Sequence, residues 1–241
     1  MFKRLVILFL FVGLTTYSQT SEISEKNKFL FDNSFFNAMN LKNLDDYKGA
    51  LKAFKKCIEI DPLISTPYYE TARIYKKTGE TVLAEKNIKE ANRLSSKNKW
   101  YLYEYAQILF QNNKYQEAAK QYKKLVKMEP KNQKNYFLLA EAYIYQNNLN
   151  EAVKTYSMCQ EINGIDKVVT IQMYKIYMQL FDKKNAINIL KNYLDKNEYD
   201  IELLQMLAET YFLSDQKENG FETLQKISKI NPQNGTLHIT L

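Results

Sequence analysis

The chain has few of the residues on which many enzymes and turn-rich folds depend: one histidine, two cysteines, six glycines and four prolines in 241 residues. The scarcity of glycine and proline argues against a β protein with many turns. The single histidine, His238, is close to the last residue of the sequence. Neither a histidine-based catalytic triad nor a His-rich metal site is therefore expected.

Sequence motifs for other kinds of chemistry are missing as well. We find no glycine-rich phosphate loop, no serine-nucleophile motif and no cation-binding loop, and the carboxylates are scattered along the chain. The sequence therefore predicts no catalytic residue, no cofactor and no metal, and a protein that is not an enzyme.

Long hydrophobic runs are absent except for a short one at the amino terminus. Two basic residues precede the ten-residue apolar run from Leu5 to Leu14, and small residues follow at Thr16 and Ser18. Ten residues are about half of the roughly 20 that cross a bilayer, so removal of the segment is favoured over a membrane anchor. We predict a signal peptide over 1–18, cleaved near Ser18/Gln19, and an extracytoplasmic protein, either periplasmic or secreted.

The remaining composition is that of a folded helical protein. Apolar residues make up 45% of the chain and charged residues 25%, and leucine, lysine, glutamate, alanine and glutamine are abundant. The net charge is +7, but basic and acidic residues alternate, as they do over 85–90. Because nucleic-acid-binding proteins concentrate lysine and arginine on one face, we predict no nucleic-acid partner.

A spacing of 34 residues organises almost everything after residue 30. In blocks counted from Phe31, position 20 is always small and position 24 is always large and apolar, with no insertion or deletion. Position 8 is alanine in five of the six blocks. The residues at position 20 are Ala50, Ala84, Ala118, Ala152, Ala186 and Gly220, and those at position 24 are Phe54, Ile88, Tyr122, Tyr156, Leu190 and Leu224. Such a fixed period indicates an array of repeats.

Each block is predicted to form two helices separated by a polar turn. Small residues at positions 8 and 20 let two antiparallel helices approach closely, and prolines at position 32 end the second helix of three blocks. Asparagine or aspartate at position 34 is expected to cap the next helix. The cysteines, Cys57 and Cys159, share position 27 three blocks apart, too far for a disulfide, and are predicted to be buried apolar residues.

This pattern resembles the tetratricopeptide repeat family, whose 34-residue unit alternates large and small residues and ends with proline. The resemblance covers residues 31–234. It implies an all-α fold, a right-handed superhelical solenoid of antiparallel helix pairs, in which the first helix of each pair lines a concave face. It also implies a protein that binds other proteins or peptides and performs no chemistry.

The predicted organisation has four parts. These are a signal peptide (1–18), a flexible lead-in (19–30), six tetratricopeptide repeats (31–64, 65–98, 99–132, 133–166, 167–200 and 201–234) and the start of an incomplete seventh repeat (235–241). Repeat arrays usually finish with a polar capping helix, and a seven-residue helix is marginal by itself. We therefore expect either that the chain is cut from a longer protein or that it self-associates through this exposed end.

A partner-binding groove is predicted on the first helices, at positions opposite the packing residues. Position 5 is aromatic in four consecutive blocks, and bases and amides are interspersed among the rings. The predicted groove residues are Phe35, Tyr69, Arg73, Trp100, Tyr103, Gln107, Phe137, Tyr145, Ile171 and Lys175, together with Gln179. Aromatic rings supply contact area at low entropy cost, and polar groups fix the register of a peptide or partner helix. The alternative, packing of position 5 against the neighbouring block, remains open.

One family subtype is excluded by the residues present. Some tetratricopeptide domains hold a terminal carboxylate with lysine at position 5 and asparagine at position 9, and neither residue occurs there in these blocks. The sequence predicts an exported, non-enzymatic interaction scaffold that binds a protein or peptide. The alternative is the extracytoplasmic sensor portion of a longer signalling protein, whose membrane and effector parts would lie beyond Leu241.

Overall fold

A computed structural model describes residues 24–232 of the chain. The predicted signal peptide, the first part of the lead-in, the incomplete seventh repeat and His238 lie outside the described residues. Over 24–232 the chain forms twelve helices and no strand. The predicted all-α fold class, a solenoid of helix pairs, is confirmed.

The helices alternate with short turns and fall two to each 34-residue block. The first, α1, covers 24–43. The others are α2 (Tyr47–Ile60), α3 (Ser65–Thr78), α4 (Thr81–Leu94), α5 (Lys99–Gln111), α6 (Tyr115–Met128), α7 (Gln133–Tyr145), α8 (Leu149–Asn163), α9 (Lys167–Gln179), α10 (Lys183–Leu194), α11 (Ile201–Leu213) and α12 (Lys217–Ile230). No helix among the described residues is long and apolar enough to cross a membrane.

The chain divides into two compact units, Met1–Glu117 and Ala118–Leu241, and the division falls in the first turn of α6. In unit 1, α3 packs on α4, and α2 and α4 pack on the first helices of the following blocks, α3 and α5. In unit 2, the pairs α7 with α8, α9 with α10 and α11 with α12 pack in the same way, and α8 and α10 contact α9 and α11. Within each unit, these helices therefore contact their neighbours in sequence, as a repeat array requires.

The small residues lie where the helices approach most closely. Within unit 1, Ala72 on α3 and Ala84 on α4 are completely buried in the core cluster that also contains Ile88 and Ala91. At position 24, Phe54 in unit 1 and Leu190 in unit 2 are also completely buried. Small residues thus admit the neighbouring helix and large ones fill the remaining space, which is the packing predicted from the sequence.

Gly220 stands where the other blocks have alanine, and the structure gives the reason. A Cβ atom at Gly220 would lie 2.8 Å from the Cζ atom of Phe212 on α11. The ring of Phe212 also contacts Phe221 at a centroid distance of 5.2 Å. The last helix pair of unit 2 therefore accommodates an aromatic ring in the space that an alanine methyl group would occupy.

Three of the predicted helix caps are present. The side chains of Asn98, Asp166 and Asp200 accept hydrogen bonds from backbone N–H groups in the first turns of α5, α9 and α11. Asn132 makes no such bond to α7, and its amide instead donates to Glu129 at 3.3 Å. The capping prediction is therefore correct at three positions and wrong at Asn132, whose side chain bonds through its amide nitrogen to the preceding turn instead. Asn234, at the same position of the sixth block, lies outside the described residues.

The helix at the amino terminus begins earlier than the repeat frame suggests. Residues 24–30, expected as part of a flexible lead-in, are helical and continue into α1. Phe31 and Phe35, one turn apart, stack with a centroid distance of 6.0 Å. The added turns of α1 form one wall of a cleft whose other wall contains Ile60 and Ile64, at and just beyond the end of α2. This neighbouring surface explains why the segment is helical although its sequence lacks a clear period.

The turn inside each helix pair has the same backbone conformation in all six blocks. Position 15 adopts a positive φ, between 55° and 85°, at Asp45, Gly79, Asn113, Asn147, Phe181 and Asp215. Glycine, asparagine and aspartate tolerate this left-handed region, whereas a bulky side chain is strained there. Phe181 is the exception, and its side chain is 88% exposed.

Replacing Phe181 should therefore stabilise unit 2. We expect Phe181→Asn to raise the free energy of unfolding by about 1 kcal/mol, because it removes backbone strain and loses little packing. The midpoint of urea unfolding measures the change. Asn147→Phe, at the same position of the preceding block, is the matched control and should lower the midpoint. A lower midpoint for Phe181→Asn would mean that the ring contributes more to the fold than the strain costs.

Candidate functional site

The predicted groove residues are divided between the two units. Within unit 1, the first helices α1, α3 and α5 present polar side chains beside one another and form a groove of about 480 Å³. We call this surface the first-helix groove. It is lined by Lys42, Tyr47, Arg73, Ile74, Lys76, Lys77, Glu104 and Gln111.

Two ion pairs connect successive first helices beneath this groove. Lys42 on α1 pairs with Glu70 on α3, and Lys76 on α3 pairs with Glu104 on α5 at 2.9 Å. In both pairs the lysine is at position 12 of one block and the glutamate is at position 6 of the next, 28 residues later. The two carboxylates are largely buried, with 9% and 14% of the side chain exposed. The pairs therefore hold the helices in register and fix the lysines in place.

Arg73 is the predicted groove residue with the best-defined surroundings. Its guanidinium group lies 3.5 Å from the Glu70 carboxylate and 5.6 Å from the centre of the Tyr69 ring. Tyr69 in turn stacks on Tyr101 of α5 at a centroid distance of 4.5 Å. Burial of this ring raises the pKa of the Tyr69 hydroxyl, although the nearby Arg73 charge acts in the opposite direction. Arg73 keeps 46% of its side chain exposed and can reach a ligand.

Two more predicted residues, Tyr103 and Gln107, are joined to this network. The Gln107 amide nitrogen donates to the Tyr103 hydroxyl at 2.7 Å, and Lys76 donates to the Gln107 amide oxygen at 2.9 Å. The network thus continues from Lys76 along α5. Trp100 is separate, at the start of α5, with 65% of its side chain exposed and the Lys99 ammonium group 5.3 Å above its ring.

A tyrosine and an aspartate define one edge of the first-helix groove. Lys77 lies 4.9 Å above the Tyr47 ring and 3.1 Å from the Asp45 carboxylate. The hydrogen bonds from Tyr47 and Lys77 lower the pKa of the Asp45 carboxyl, and hydrogen bonds to Tyr47 and Asp45 raise the pKa of Lys77. Both shifts favour the ionised form of the group.

The remaining predicted residues do not join this groove. Phe35 lies against Phe54 on the second helix of its own pair, at 5.7 Å between ring centroids. In unit 2, Phe137 packs on Tyr156 in the same way at 5.3 Å, and Ile171 packs against the core cluster around Leu203. Tyr145, Lys175 and Gln179 are exposed on the first helices of unit 2.

The aromatic residues at position 5 are half-buried. Tyr69 stacks on Tyr101 of the next block, whereas Phe35 and Phe137 contact rings on the second helix of their own block. The sequence reasoning missed Lys42, Glu70, Lys76 and Glu104, which fix the polar surface. A signal was present in the repeated lysine and glutamate 28 residues apart, which comparison of blocks by charge would have found.

The described residues offer little that could support chemistry. No group of three or more histidine, cysteine, aspartate and glutamate side chains among residues 24–232 could hold a metal ion. Cys57 and Cys159 are free and buried, as predicted. Burial raises the pKa of the Cys57 thiol to about 11 and also raises that of Cys159, so both remain protonated and unreactive at neutral pH.

The fold and the packing define an all-α protein built from repeated helix pairs. A family model described as "Tetratricopeptide repeat" matches residues 109–163, and a second with the same description matches residues 38–62. The chain is a tetratricopeptide repeat protein, which confirms the resemblance seen in the sequence. Proteins of this family are generally binding scaffolds without enzymatic activity.

Solved structures with the same fold have distant sequences. A tetratricopeptide repeat protein from Parabacteroides merdae ATCC 43184 is 15% identical over 83% of this chain and 79% of that chain, with a TM-score of 0.57. YrrB, described as a TPR protein with an unusual peptide-binding site, is 19% identical over 77% and 95% of the two chains, with a TM-score of 0.51.

A third similar structure, of Naa15/Naa10 bound to HypK-THB, has a TM-score of 0.68 and 17% identity. The alignment covers 88% of this chain but only 33% of that one. At these identities the likeness shows the fold alone. Among curated proteins, none matches the sequence.

Proposed function

We propose that the protein is an exported interaction scaffold that binds an extended peptide, or an extended segment of a partner protein, in the first-helix groove of unit 1. The observation that carries the proposal is the arrangement around Arg73. Its guanidinium group is held by Glu70 and Tyr69 yet remains half-exposed beside Lys77 and Gln111.

This arrangement suits peptide recognition because its polar groups are already ordered. The ion pairs of Lys42 and Lys76 fix the floor of the groove, so a ligand would not have to order these side chains on binding. Arg73, Lys77 and Gln111 can then donate hydrogen bonds to peptide carbonyl groups along the groove. The peptide-binding site named for the tetratricopeptide protein YrrB supports this kind of use of the fold.

Site-directed photo-crosslinking tests the proposal in the full-length protein. A photo-crosslinking amino acid at position 77 should capture a partner, and one at position 55 on α2 should not. Lys55 is a suitable control because 78% of its side chain is exposed and it belongs to a second helix. Arg73→Glu should abolish capture by a crosslinker placed at position 77. Equal capture from positions 77 and 55 would contradict the groove assignment.

Alanine variants of the aromatic residues are a poorer test of the groove than Arg73→Glu. Tyr69 is stacked on Tyr101, and Phe137 is packed on Tyr156, so their replacement by alanine would loosen the fold as well as alter the surface. Arg73 can be changed with less effect on packing, because nearly half of its side chain already contacts solvent.

Export is the second part of the proposal. It is supported by the basic residues and the ten-residue apolar run within residues 1–18, followed by the small residues Thr16 and Ser18. The prediction of export is tested by the intact mass of the protein, purified from a host that exports it. We expect a chain that begins at Gln19, and recovery of the uncleaved chain from the cytoplasm would contradict export.

A further inference from the structure

A second groove lies within unit 2. It runs between α10 and the end of α11 with the turn that follows, and it has a volume of about 640 Å³. We call it the α10 groove. Its lining residues are Lys183, Lys184, Ile187, Asn188, Lys191, Tyr211, Leu213, Ser214, Gln216 and Asn219.

The charge of the α10 groove is of one sign. Three of its described lining residues are lysines and none is a carboxylate. Lys183 donates to the backbone carbonyl of Leu213, whereas Lys184 and Lys191 are exposed and have no hydrogen-bond or ion-pair partner among residues 24–232. Of the nearby carboxylates, Asp182 caps α10 and Asp215 lies 3.8 Å from Lys217. Asp195, at the end of α10, is exposed and forms no ion pair with Lys191 in the described part of the chain.

Unit 1 contains an equivalent groove that shows what is different here. It is lined by residues of α4 and by the turn after α5, and eight of its positions are those of the α10 groove shifted by three blocks. Glu85 occupies the position of Ile187, and it binds Lys114 at 2.6 Å and Asn112 at 2.7 Å. Burial opposes ionisation of Glu85, but these hydrogen bonds outweigh it and lower the pKa of its carboxyl.

The unit 1 groove therefore neutralises part of its own charge, and the α10 groove does not. Unit 1 has a second internal pair, Glu90 with Arg93 at 2.6 Å, and the residues three blocks later, Asn192 and Asp195, form no such pair in the described chain. In unit 2 the counterpart of Glu85 is the buried, apolar Ile187, and the counterpart of Lys114 is the neutral Gln216. In the α10 groove, apolar Ile187 thus stands where the unit 1 groove has the Glu85 carboxylate. Lys184 and Lys191 have no ion-pair partner among the described residues.

We propose that the α10 groove binds an acidic, extended segment of a partner protein. Lys184 and Lys191 are seven residues apart on α10 and share one face, so they are separated by about 10 Å along the helix. An extended polyproline-II-like segment rises about 3.1 Å per residue with three residues per turn, so carboxylates three residues apart point the same way about 9 Å from each other. Acidic residues at that spacing match the two lysines.

The other lining residues complete such a site. The side-chain amides of Asn188 and Asn219 can bond to the peptide backbone between the acidic residues. Leu213, with 57% of its side chain exposed, offers an apolar contact for the intervening side chains. A groove that binds a protein segment offers neutral polar groups and apolar surface as well as cations. A surface that binds a polyanion without regard to its sequence needs only the cations.

Binding of a defined probe to the full chain tests the proposal. The probe is a fluorescein-labelled peptide with glutamate at every third position and leucine or serine between, and its counterpart has glutamine at every glutamate. Fluorescence anisotropy at about 0.15 M salt, where charges are screened beyond about 8 Å, measures the affinity. We expect the glutamate peptide to bind about tenfold more tightly than the glutamine peptide, because two close charge pairs each add a few-fold.

Paired charge reversals locate the binding. Lys184→Glu with Lys191→Glu should abolish the preference for glutamate, whereas Lys86→Glu with Lys89→Glu, which makes the same change in net charge in the unit 1 groove, should preserve it. Both lysines to be changed in unit 2 are exposed and unpaired in the described chain, so the variant should fold, and circular dichroism checks this.

Two results would overturn the proposal. One is equal loss of preference in the unit 1 control variant, which would show that net charge alone attracts the peptide. The other is displacement of the glutamate peptide by single-stranded DNA or by phosphatidylserine vesicles at lower concentration than by the unlabelled peptide. That result would assign the groove to a different class of polyanion.

Discussion

Phe54→Ala should lower the free energy of unfolding of unit 1 by about 3–5 kcal/mol, the loss usual for a fully buried aromatic side chain. The Phe54 side chain has no exposed surface. It packs in a cluster with Ala38, Ala50 and Ile74 and makes an edge contact with Phe35 at 5.7 Å. Its removal would leave a cavity at the contact between the first helix pair and α3, and the small alanines around it cannot fill that space.

The matched control is Phe36→Ala on α1. Phe36 is the same residue type close by on α1, but 69% of its side chain is exposed. We expect little change there, because the ring loses almost no buried area on substitution. Urea unfolding followed by circular dichroism compares the two variants. Similar midpoints for the two would show that the second helix of the first block is not tightly packed on its neighbours.

The residues of the core could be predicted from the sequence because of their regular spacing. Positions 8, 20 and 24 repeat every 34 residues, and Ala72, Ala84 and Phe54 are completely buried as predicted. Burial at these positions depends on which side of the helix faces the neighbour, and that side is set by the helical period. A single sequence is enough to identify the buried side of each helix when the pattern recurs six times.

The role of position 5 could not be predicted for a geometrical reason. Positions 8 and 9 both lie about one helical turn after position 5, on either side of it around the helix axis. Position 8 faces the core and position 9 faces away from it, so position 5 is at the border of the packing surface. Tyr69 illustrates this, since its ring is stacked on Tyr101 while Arg73 lies over it. Spacing alone assigns such a residue to neither the core nor the groove.

Contacts between particular side chains were also beyond the sequence argument. At Asn132, the side-chain amide nitrogen donates to Glu129, and the side chain does not cap α7. At Gly220, the ring of Phe212 occupies the space that a Cβ atom would need. In both cases the deciding partner is a particular neighbouring side chain, and a comparison of the blocks by size shows no trace of it.

Glu70→Leu should be the most costly change to the ion pairs of the first-helix groove. It leaves the Lys42 ammonium group without its carboxylate, and only 18% of the Lys42 side chain is exposed to water. We expect a loss of about 2 kcal/mol, which is typical of a hydrogen bond to a charged group. Lys42→Met combined with Glu70→Leu should restore most of the stability, because neither partner is then left charged and unpaired.

The second ion pair provides an internal comparison. Glu104→Leu also removes a carboxylate from a partly buried lysine, but Lys76 keeps the amide oxygen of Gln107 at 2.9 Å as an acceptor. The loss should therefore be about half that of Glu70→Leu. Glu59→Leu at the exposed pair with Lys55 should have almost no effect.

Urea unfolding of the single and double variants gives the coupling energy between Lys42 and Glu70. If the losses of Glu70→Leu and Lys42→Met simply add in the double variant, the pair does not hold α1 and α3 in register. The groove would then lack the ordered polar floor on which peptide binding at Arg73 depends. A positive coupling together with loss of crosslinking in Arg73→Glu would instead connect the packing of the helices to the recognition of a partner, because Glu70 contacts both Lys42 and Arg73.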